Sequence, residues 1–123
     1  MIKNPKISII TVSYNSQCTI KHTIDSFSTQ TYKNKEYILI DGASKDWTLD
    51  ILDFKKDEID NFVSEPDGGI YDAMNKGIKA ANGDIVGILN SDDFYYNQDV
   101  LSKVAKVFED TDCDCLYGDL AIL

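Results

Sequence analysis

The chain contains no arginine, and all twelve of its basic residues are lysines. Asp and Glu total 21, which leaves a net charge of −9 and argues against a nucleic-acid partner. The planar guanidinium fork that usually binds phosphate is therefore missing. A phosphorylated ligand would need lysine, backbone amides or a metal ion to neutralise its charge.

Targeting and membrane signals are also missing. No stretch approaches the roughly 20 apolar residues of a membrane span. Pro5 and Lys6 interrupt the N-terminus before any sustained apolar region, which is unlike a signal peptide. We therefore expect a cytoplasmic protein.

Several common catalytic and nucleotide motifs are absent as well. The segment "SYNSQ" lacks the Gly-x-Gly-x-x-Gly pattern of dinucleotide sites, and the chain has no phosphate loop and no nucleophile elbow. The only histidine, His22, falls within a helical pattern and is expected to be exposed or structural. The three cysteines show no paired metal-binding spacing. What remains is the chemistry of carboxylates and other oxygen ligands.

The length of 123 residues fits one domain, residues 1–123, in which strand and helix patterns alternate. Apolar runs predict five strands: Ile7–Val12, Tyr37–Ile40, Phe62–Val63, Ile85–Leu89 and Cys115–Leu123. Apolar residues at helical spacing predict four helices: Ile20, Ile24 and Phe27; Leu49 and Leu52; Ile70, Met74 and Ile78; Val100, Val104, Val107 and Phe108. The second of these helices, Thr48 to Lys55, is also expected to turn Phe54 inward. This order predicts an α/β fold, with a mostly parallel sheet and helices on both faces.

Polar residues follow the predicted strands at their carboxyl ends, and these ends share one edge of a parallel sheet, where ligands bind. They are Tyr14, Asn15, Asp41, Glu65, Asp67 and Asn90–Asp93. Asp92 and Asp93 are adjacent carboxylates directly after an apolar strand. On pattern alone they are either a solvated turn or a site for Mg²⁺ or Mn²⁺, which prefer oxygen ligands.

Four segments carry a family resemblance: "ISIITVSYN", "YILIDGASKDWT", "EPDGGIYDAMNKGIKAANGD" and "VGILNSDD". In this order, over residues 5–110, they resemble the nucleotide-sugar-binding half of family 2 glycosyltransferases with the Rossmann-like GT-A fold. The resemblance is to the bacterial enzymes that build surface polysaccharides. It implies inverting transfer of a sugar from a nucleotide-diphosphate sugar, UDP-linked, to a saccharide or lipid-linked acceptor.

The resemblance also implies roles for individual residues. The nucleotide-binding positions are Val12, Ser13, Tyr14, Asp41, Asp67, Asn75, Asn90 and Ser91. Tyr14 would lie against the base and Asp41 would accept a hydrogen bond from it; the alternatives are a packing tyrosine and a turn residue. The family's Asp-Asp-Gly-Ser reads Asp41-Gly42-Ala43-Ser44 here, so the second acid is lost.

The diphosphate and metal positions depart from the family pattern in two places. Many relatives carry arginine where this chain has Met74, which leaves diphosphate binding to the metal and to amides at the start of the third helix. Lys76 is a weak substitute, more typical of a surface lysine. Asp92 would coordinate Mg²⁺ or Mn²⁺ with help from Asp93, and Asn90 would contact the ribose.

Family members are about twice this long, so the chain is expected to be a truncated donor-binding half without the acceptor half. The catalytic base would then lie beyond Leu123. Association of the full-length protein with the inner membrane face is expected, as is a homodimer or larger assembly through residues 115–123. Two alternatives stay open: a non-catalytic nucleotide-binding module and an enzyme similar to sugar-phosphate nucleotidyltransferases.

Overall fold

Strands and helices alternate in the computed structural model, which describes residues 3–111 and 114–116. The strands are β1 (Ile7–Ser13), β2 (Lys35–Asp41), β3 (Asn61–Ser64) and β4 (Ile85–Ile88). The helices are α1 (Ile20–Ser28), α2 (Thr48–Phe54), α3 (Ile70–Ala80) and α4 (Val100–Asp110), with a short 3₁₀ turn over Lys56–Glu58.

The four strands form one sheet in the order β3-β2-β1-β4, and every neighbouring pair is parallel. Ser13 at the end of β1 pairs with Asp41, which in turn pairs with Ser64 at the end of β3. The predicted α/β fold with a parallel sheet is confirmed. The register brings the carboxyl ends of β1, β2 and β3 to one edge.

Each face of the sheet packs against helices, as predicted. Ile7, Ile9 and Leu39 pack on one face with buried residues of α1, α2 and α4. On the other face, Ile10 and Ile38 pack with α3. Both faces of the sheet are covered by helices. The side chains of the central strands are therefore apolar along the strand, apart from polar ones that are hydrogen-bonded, which is typical of parallel sheets.

The inward face of α1 is the predicted one, since Ile20, Ile24 and Phe27 are all buried. In α2, Leu52 is buried as expected, but the prediction of an inward Phe54 is wrong because this residue is 81% exposed. Phe54 lies two residues after Leu52, about 200° around the helix, and therefore faces away from the sheet.

In α3, the residues that face the sheet are Ala73 and Gly77, whereas Ile70 and Ile78 are about half exposed. A Cβ atom at Gly77 would lie only 2.5 Å from Cγ2 of Ile10. The helix therefore approaches the sheet so closely that only small residues fit, and the larger apolar residues of the predicted face flank the contact.

The contact of α4 with the core is centred on Leu101 and Ala105. Val104 also packs against the core, whereas Val107 is 36% exposed. The helix itself was predicted, but its buried face is rotated from the predicted one.

The predicted fifth strand falls mostly on residues 117–123, outside the described residues, and Cys115 and Leu116 belong to no strand. The predicted self-association depends on the same segment. No helix among the described residues has both the length and the apolar character needed to cross a bilayer.

Candidate functional site

A cavity of about 530 Å³ opens at the carboxyl edge of the sheet. Its walls come from the end of β1, the turn after β2, the loop between β3 and α3, the start of α3 and the loop after β4. They are formed by Val12, Ser13, Tyr14, Gly42, Pro66, Asp67, Gly69, Ile70, Ala73 and Ser91. This size lies within the range of small-molecule sites, roughly 300–1,000 Å³.

Most of the predicted nucleotide-binding residues meet at this cavity. Those that line it are Val12, Ser13, Tyr14, Asp67 and Ser91. Tyr14 is 57% exposed, which argues against a packing role and leaves the residue available to a planar ligand. Asp41, Asn75 and Asn90 are not part of the lining.

Asp41 lies beneath the cavity, with no exposed surface. Its Oδ1 accepts hydrogen bonds from the hydroxyls of Ser13 (2.7 Å) and Ser44 (2.6 Å). Its Oδ2 accepts from the Ser44 N–H (2.8 Å) and the Ser64 hydroxyl (2.9 Å). These four bonds fill the accepting capacity of a carboxylate. A base could bond to Asp41 only if one serine hydroxyl turned away.

The turn after β2 holds Ala43 in the left-handed region, at a φ of 60°. This conformation costs an L-residue about 1–2 kcal/mol. Ala43 stands where the family motif carries glycine, so the chain retains the turn without the residue that favours it. The turn is held by the Ser44 N–H on Asp41 and by the Gly42 N–H on the carbonyl of Ser13 (2.9 Å).

The start of α3 was expected to offer free amides to an anion, but two of them are occupied. The N–H of Gly68 donates to Asp72 (2.9 Å) and the N–H of Gly69 donates to Asp67 (3.0 Å). The Gly68 bond lowers the pKa of the Asp72 carboxyl, so this group is anionic at neutral pH. In this structure these two amides therefore bond to side chains of the chain itself.

Lys76 is also engaged within the chain. Its Nζ lies 2.9 Å from Oε1 of Glu65 and 3.6 Å from Oδ2 of Asp72. The hydrogen bond with Glu65 raises the pKa of the lysine. Asn75, the preceding residue, is exposed on α3 and is not one of the residues that line the cavity.

The turn Asn90–Asp93 follows the end of β4. Its backbone is closed by the Asp93 N–H on the carbonyl of Asn90 (3.0 Å), and the side-chain amide of Asn90 lies 3.3 Å from Oδ2 of Asp93. Asp92 is exposed. Within residues 3–111 and 114–116, no hydrogen bond or ion pair engages its carboxylate.

These two carboxylates fit the expected metal in type and number. No group of three or more His, Cys, Asp or Glu side chains that could hold a metal occurs in the part of the chain that the structure describes. Mg²⁺ is usually held by one or two carboxylates, with the remaining positions taken by water and substrate phosphates. Asp92 and Asp93 supply these two carboxylates. The remaining coordination positions of the metal would be filled by the bound ligand.

Sequence reasoning missed the side chains that hold this turn. The hydroxyls of Ser16 and Ser91 are 2.8 Å apart, and Thr19 and Thr23 donate hydrogen bonds to carbonyls of residues 91 and 93. His22 is exposed, as expected, and stacks on Phe94 with ring centres 4.1 Å apart. The sequence signal that could have identified these side chains is the presence of polar residues on the buried side of a predicted helix.

Sequence comparison finds a match to the model of glycosyl transferase family 2 over residues 8–121. A glycosyltransferase of Mycobacterium tuberculosis (strain CDC 1551 / Oshkosh) is 37% identical over 107 residues, which are 86% of this chain and 41% of that protein. A PGL/p-HBAD biosynthesis glycosyltransferase of Mycobacterium bovis (strain BCG / Pasteur 1173P2) is 35% identical over 120 residues, which are 94% of this chain and 47% of that protein. The chain thus spans less than half the length of these relatives.

Solved structures agree. Staphylococcus aureus TarS 1-349 in complex with UDP-GlcNAc matches with a TM-score of 0.76 and 27% identity, over 85% of this chain and 31% of that one. The mannosyltransferase PcManGT of Pyrobaculum calidifontis, in complex with GDP-Man and Mn²⁺, matches with a TM-score of 0.77 and 26% identity, over 86% and 32%. With this fold and these matches, the chain belongs to glycosyl transferase family 2 and has the GT-A fold.

Proposed function

We propose that this chain is the donor-binding part of an enzyme that transfers a sugar from a UDP-linked donor, with inversion, in surface-polysaccharide biosynthesis. The observation that carries the proposal is the cavity at the carboxyl edge, with Tyr14 on one wall and the exposed Asp92 directly after its wall residue Ser91. Two solved relatives are described as complexes with UDP-GlcNAc and with GDP-Man and Mn²⁺, which supports a nucleotide sugar as ligand.

In this proposal the nucleoside occupies the cavity. Tyr14 stacks on the base, and Asp41 accepts from it after the hydroxyl of Ser64, the longest of its four bonds, turns away. Val12, Ser13, Asp67 and Ser91 complete the walls. Asn90 contacts the ribose, and Asn75 contacts the donor from α3.

Asp92 and Asp93 would hold a Mg²⁺ or Mn²⁺ ion, which neutralises the diphosphate and stabilises it as a leaving group. The chain has no arginine to do so, the Gly68 and Gly69 amides are occupied, and Lys76 is paired with Glu65. The positive charge at this edge would therefore come mainly from the ion.

The acceptor is proposed to be a saccharide or a lipid-linked saccharide. A lipid-linked acceptor would place the full-length enzyme at the cytoplasmic face of a membrane. The group that deprotonates the acceptor hydroxyl stays unassigned, and the homodimer stays a prediction.

Titration calorimetry with UDP, GDP and CDP tests this proposal, first with Mn²⁺ and then with EDTA. We expect UDP to bind in Mn²⁺ and to lose at least tenfold in affinity in EDTA, and Asp92→Ala to reproduce that loss in Mn²⁺. Asp53→Ala, at an exposed position of α2, is the control. Equal UDP affinity with and without Mn²⁺ would overturn the proposal.

A further inference from the structure

Side chains of α1 and the residue before it contact the backbone of the turn that carries Asp92 and Asp93. The hydroxyl of Thr19 donates to the carbonyl of Ser91 (2.8 Å). The hydroxyl of Thr23 lies 2.6 Å from the carbonyl oxygen of Asp93 and 3.0 Å from that of Ser91.

A threonine hydroxyl has one hydrogen to donate. The hydroxyl hydrogen of Thr23 is therefore directed mainly to the carbonyl oxygen of Asp93, its shortest contact. The hydroxyl of Thr19 donates to the carbonyl of Ser91. The first bond fixes the peptide that follows Asp93, and the second fixes the peptide that precedes Asp92. The two hydroxyls thus hold the two-aspartate segment at both of its ends.

Thr23 is 1% exposed and lies among Ile20, Ile24 and Phe27 on the core face of α1. A hydroxyl at such a position costs stability unless it is hydrogen-bonded. A threonine in a helix commonly bonds to the carbonyl four residues earlier, here that of Thr19. That contact is 3.3 Å long, whereas the contact with the carbonyl of Asp93 is 2.6 Å long. A hydrogen bond within the helix therefore does not explain how this buried hydroxyl is satisfied.

The carboxylates lack comparable support. Among the described residues, the carboxylate of Asp92 has no hydrogen bond or ion pair, and the carboxylate of Asp93 has only the 3.3 Å contact with the side-chain amide of Asn90. Their positions therefore follow from the backbone of the turn. Two adjacent carboxylates repel each other, so a turn free to relax would separate them before a cation arrived.

We propose that Thr23, assisted by Thr19, is a positioning residue that presets the Asp92–Asp93 segment to bind a divalent cation. This inference deepens the proposed function and rests on it. Groups that orient metal ligands typically contribute about 10- to 100-fold to metal affinity. Thr23 would do so through the backbone, without touching the ion.

The test uses Thr23→Val, which keeps the shape and removes the hydroxyl, and Thr23→Ser, which keeps the hydroxyl. Thr31→Val is the matched control, because the hydroxyl of Thr31 bonds to Gln98 (3.1 Å) and Asp99 (2.9 Å) farther along the same loop. Mn²⁺ affinity is measured by electron paramagnetic resonance in the presence of UDP, and urea unfolding of each variant is recorded alongside.

We expect Thr23→Val to weaken Mn²⁺ about 10-fold or more, and Thr23→Ser and Thr31→Val to stay within about twofold of wild type. Unchanged Mn²⁺ affinity in Thr23→Val overturns the inference. So does an equal loss in Thr31→Val, which would indicate general loosening of the loop. If Thr23→Val does not fold, Thr19→Val takes its place, with an expected loss of at least threefold and the same criteria.

Asp92→Ala is measured in parallel to separate the two proposals. If it removes Mn²⁺ binding while Thr23→Val does not weaken it, only the positioning role fails. If Asp92→Ala leaves Mn²⁺ affinity unchanged, the proposed function and this inference fail together.

Discussion

The hydroxyl of Ser13 donates a 2.7 Å hydrogen bond to Oδ1 of Asp41, at the point where β1 and β2 end side by side. The same carboxylate accepts from Ser44, in the turn after β2, and from Ser64, at the end of β3. One buried anion thereby joins three segments at the edge of the cavity. The shape of the cavity depends on it.

Asp41→Ala should therefore destabilise the fold. It leaves buried donors of Ser13 and Ser44 without an acceptor, and each such group costs about 1–3 kcal/mol. We expect the free energy of unfolding in urea to fall by about 3 kcal/mol or more. Asp53→Ala, which removes an exposed carboxylate, should change it by less than about 0.5 kcal/mol. A loss at Asp41 no larger than this control would show that the hydrogen bonds are dispensable.

Asp41→Asn tests base recognition with little change in shape. A carboxylate can accept from the N3–H of uracil, whereas the corresponding nitrogen of cytosine carries no proton. We expect wild type to prefer UDP over CDP, and the asparagine variant to lose most of that preference while Mn²⁺-pyrophosphate still binds. Calorimetry with the three ligands measures this. Equal losses for all three would assign Asp41 to structure alone.

The four described strands and the inward face of α1 could be predicted because β-branched runs and the spacing of Ile20, Ile24 and Phe27 reflect burial directly. The face of α3 could not, since the closeness of a helix to a sheet selects small residues, and Gly77 carries no hydrophobic signal. In the candidate site, too, some positions could be predicted from the sequence and others could not. Strand ends predicted the positions of Tyr14 and Asp67 at the cavity. The threonine hydroxyl that bonds to the carbonyl of Asp93 comes from α1, far from Asp93 in the sequence, and its position depends on the rotation of that helix.

The close approach of α3 to β1 predicts that Gly77→Ala destabilises the protein. Alanine favours a helix over glycine by about 1 kcal/mol, but the added Cβ would lie 2.5 Å from Cγ2 of Ile10. Overpacking of this kind typically costs about 1–3 kcal/mol. We expect a net loss of up to about 2 kcal/mol in urea unfolding and weaker UDP binding, because Ala73 on the same helix lines the cavity. Lys79→Ala, exposed on this helix, is the control; a stabilised Gly77→Ala variant would contradict the packing argument.

Glu36 predicts a specific dependence of stability on pH. Burial raises the pKa of its carboxyl, but hydrogen bonds from the Ser8 hydroxyl and the Asn82 N–H, with the charge of Lys6, outweigh burial and lower the pKa overall. Because the pKa is lowered in the folded state, this carboxylate stabilises the fold above its ordinary pKa of 4.5. The contribution is lost as the pH falls through the lower, folded-state value.

Glu36→Gln should therefore be less stable than wild type at pH 7, and the gap should narrow as the pH falls below about 4.5. Urea unfolding of both proteins at pH 7, 5, 4 and 3 measures the gap. Subtracting one profile from the other removes the titration of the other acids. A gap that stays constant over this range would show that the charge of Glu36 contributes nothing.

Lys76 provides a test of where the positive charge of the site comes from. Its ammonium group lies 2.9 Å from Glu65 and 3.6 Å from Asp72, so two carboxylates already neutralise it. Lys76→Met should therefore change UDP affinity in Mn²⁺ by less than about twofold, since the charge of the lysine is already offset by Glu65 and Asp72. Glu65→Gln should release the lysine and strengthen UDP binding in EDTA, where no metal competes for the diphosphate. Lys79→Met, on the same helix, controls for net charge. A tenfold loss of UDP affinity in Lys76→Met would instead make this lysine a main partner of the diphosphate.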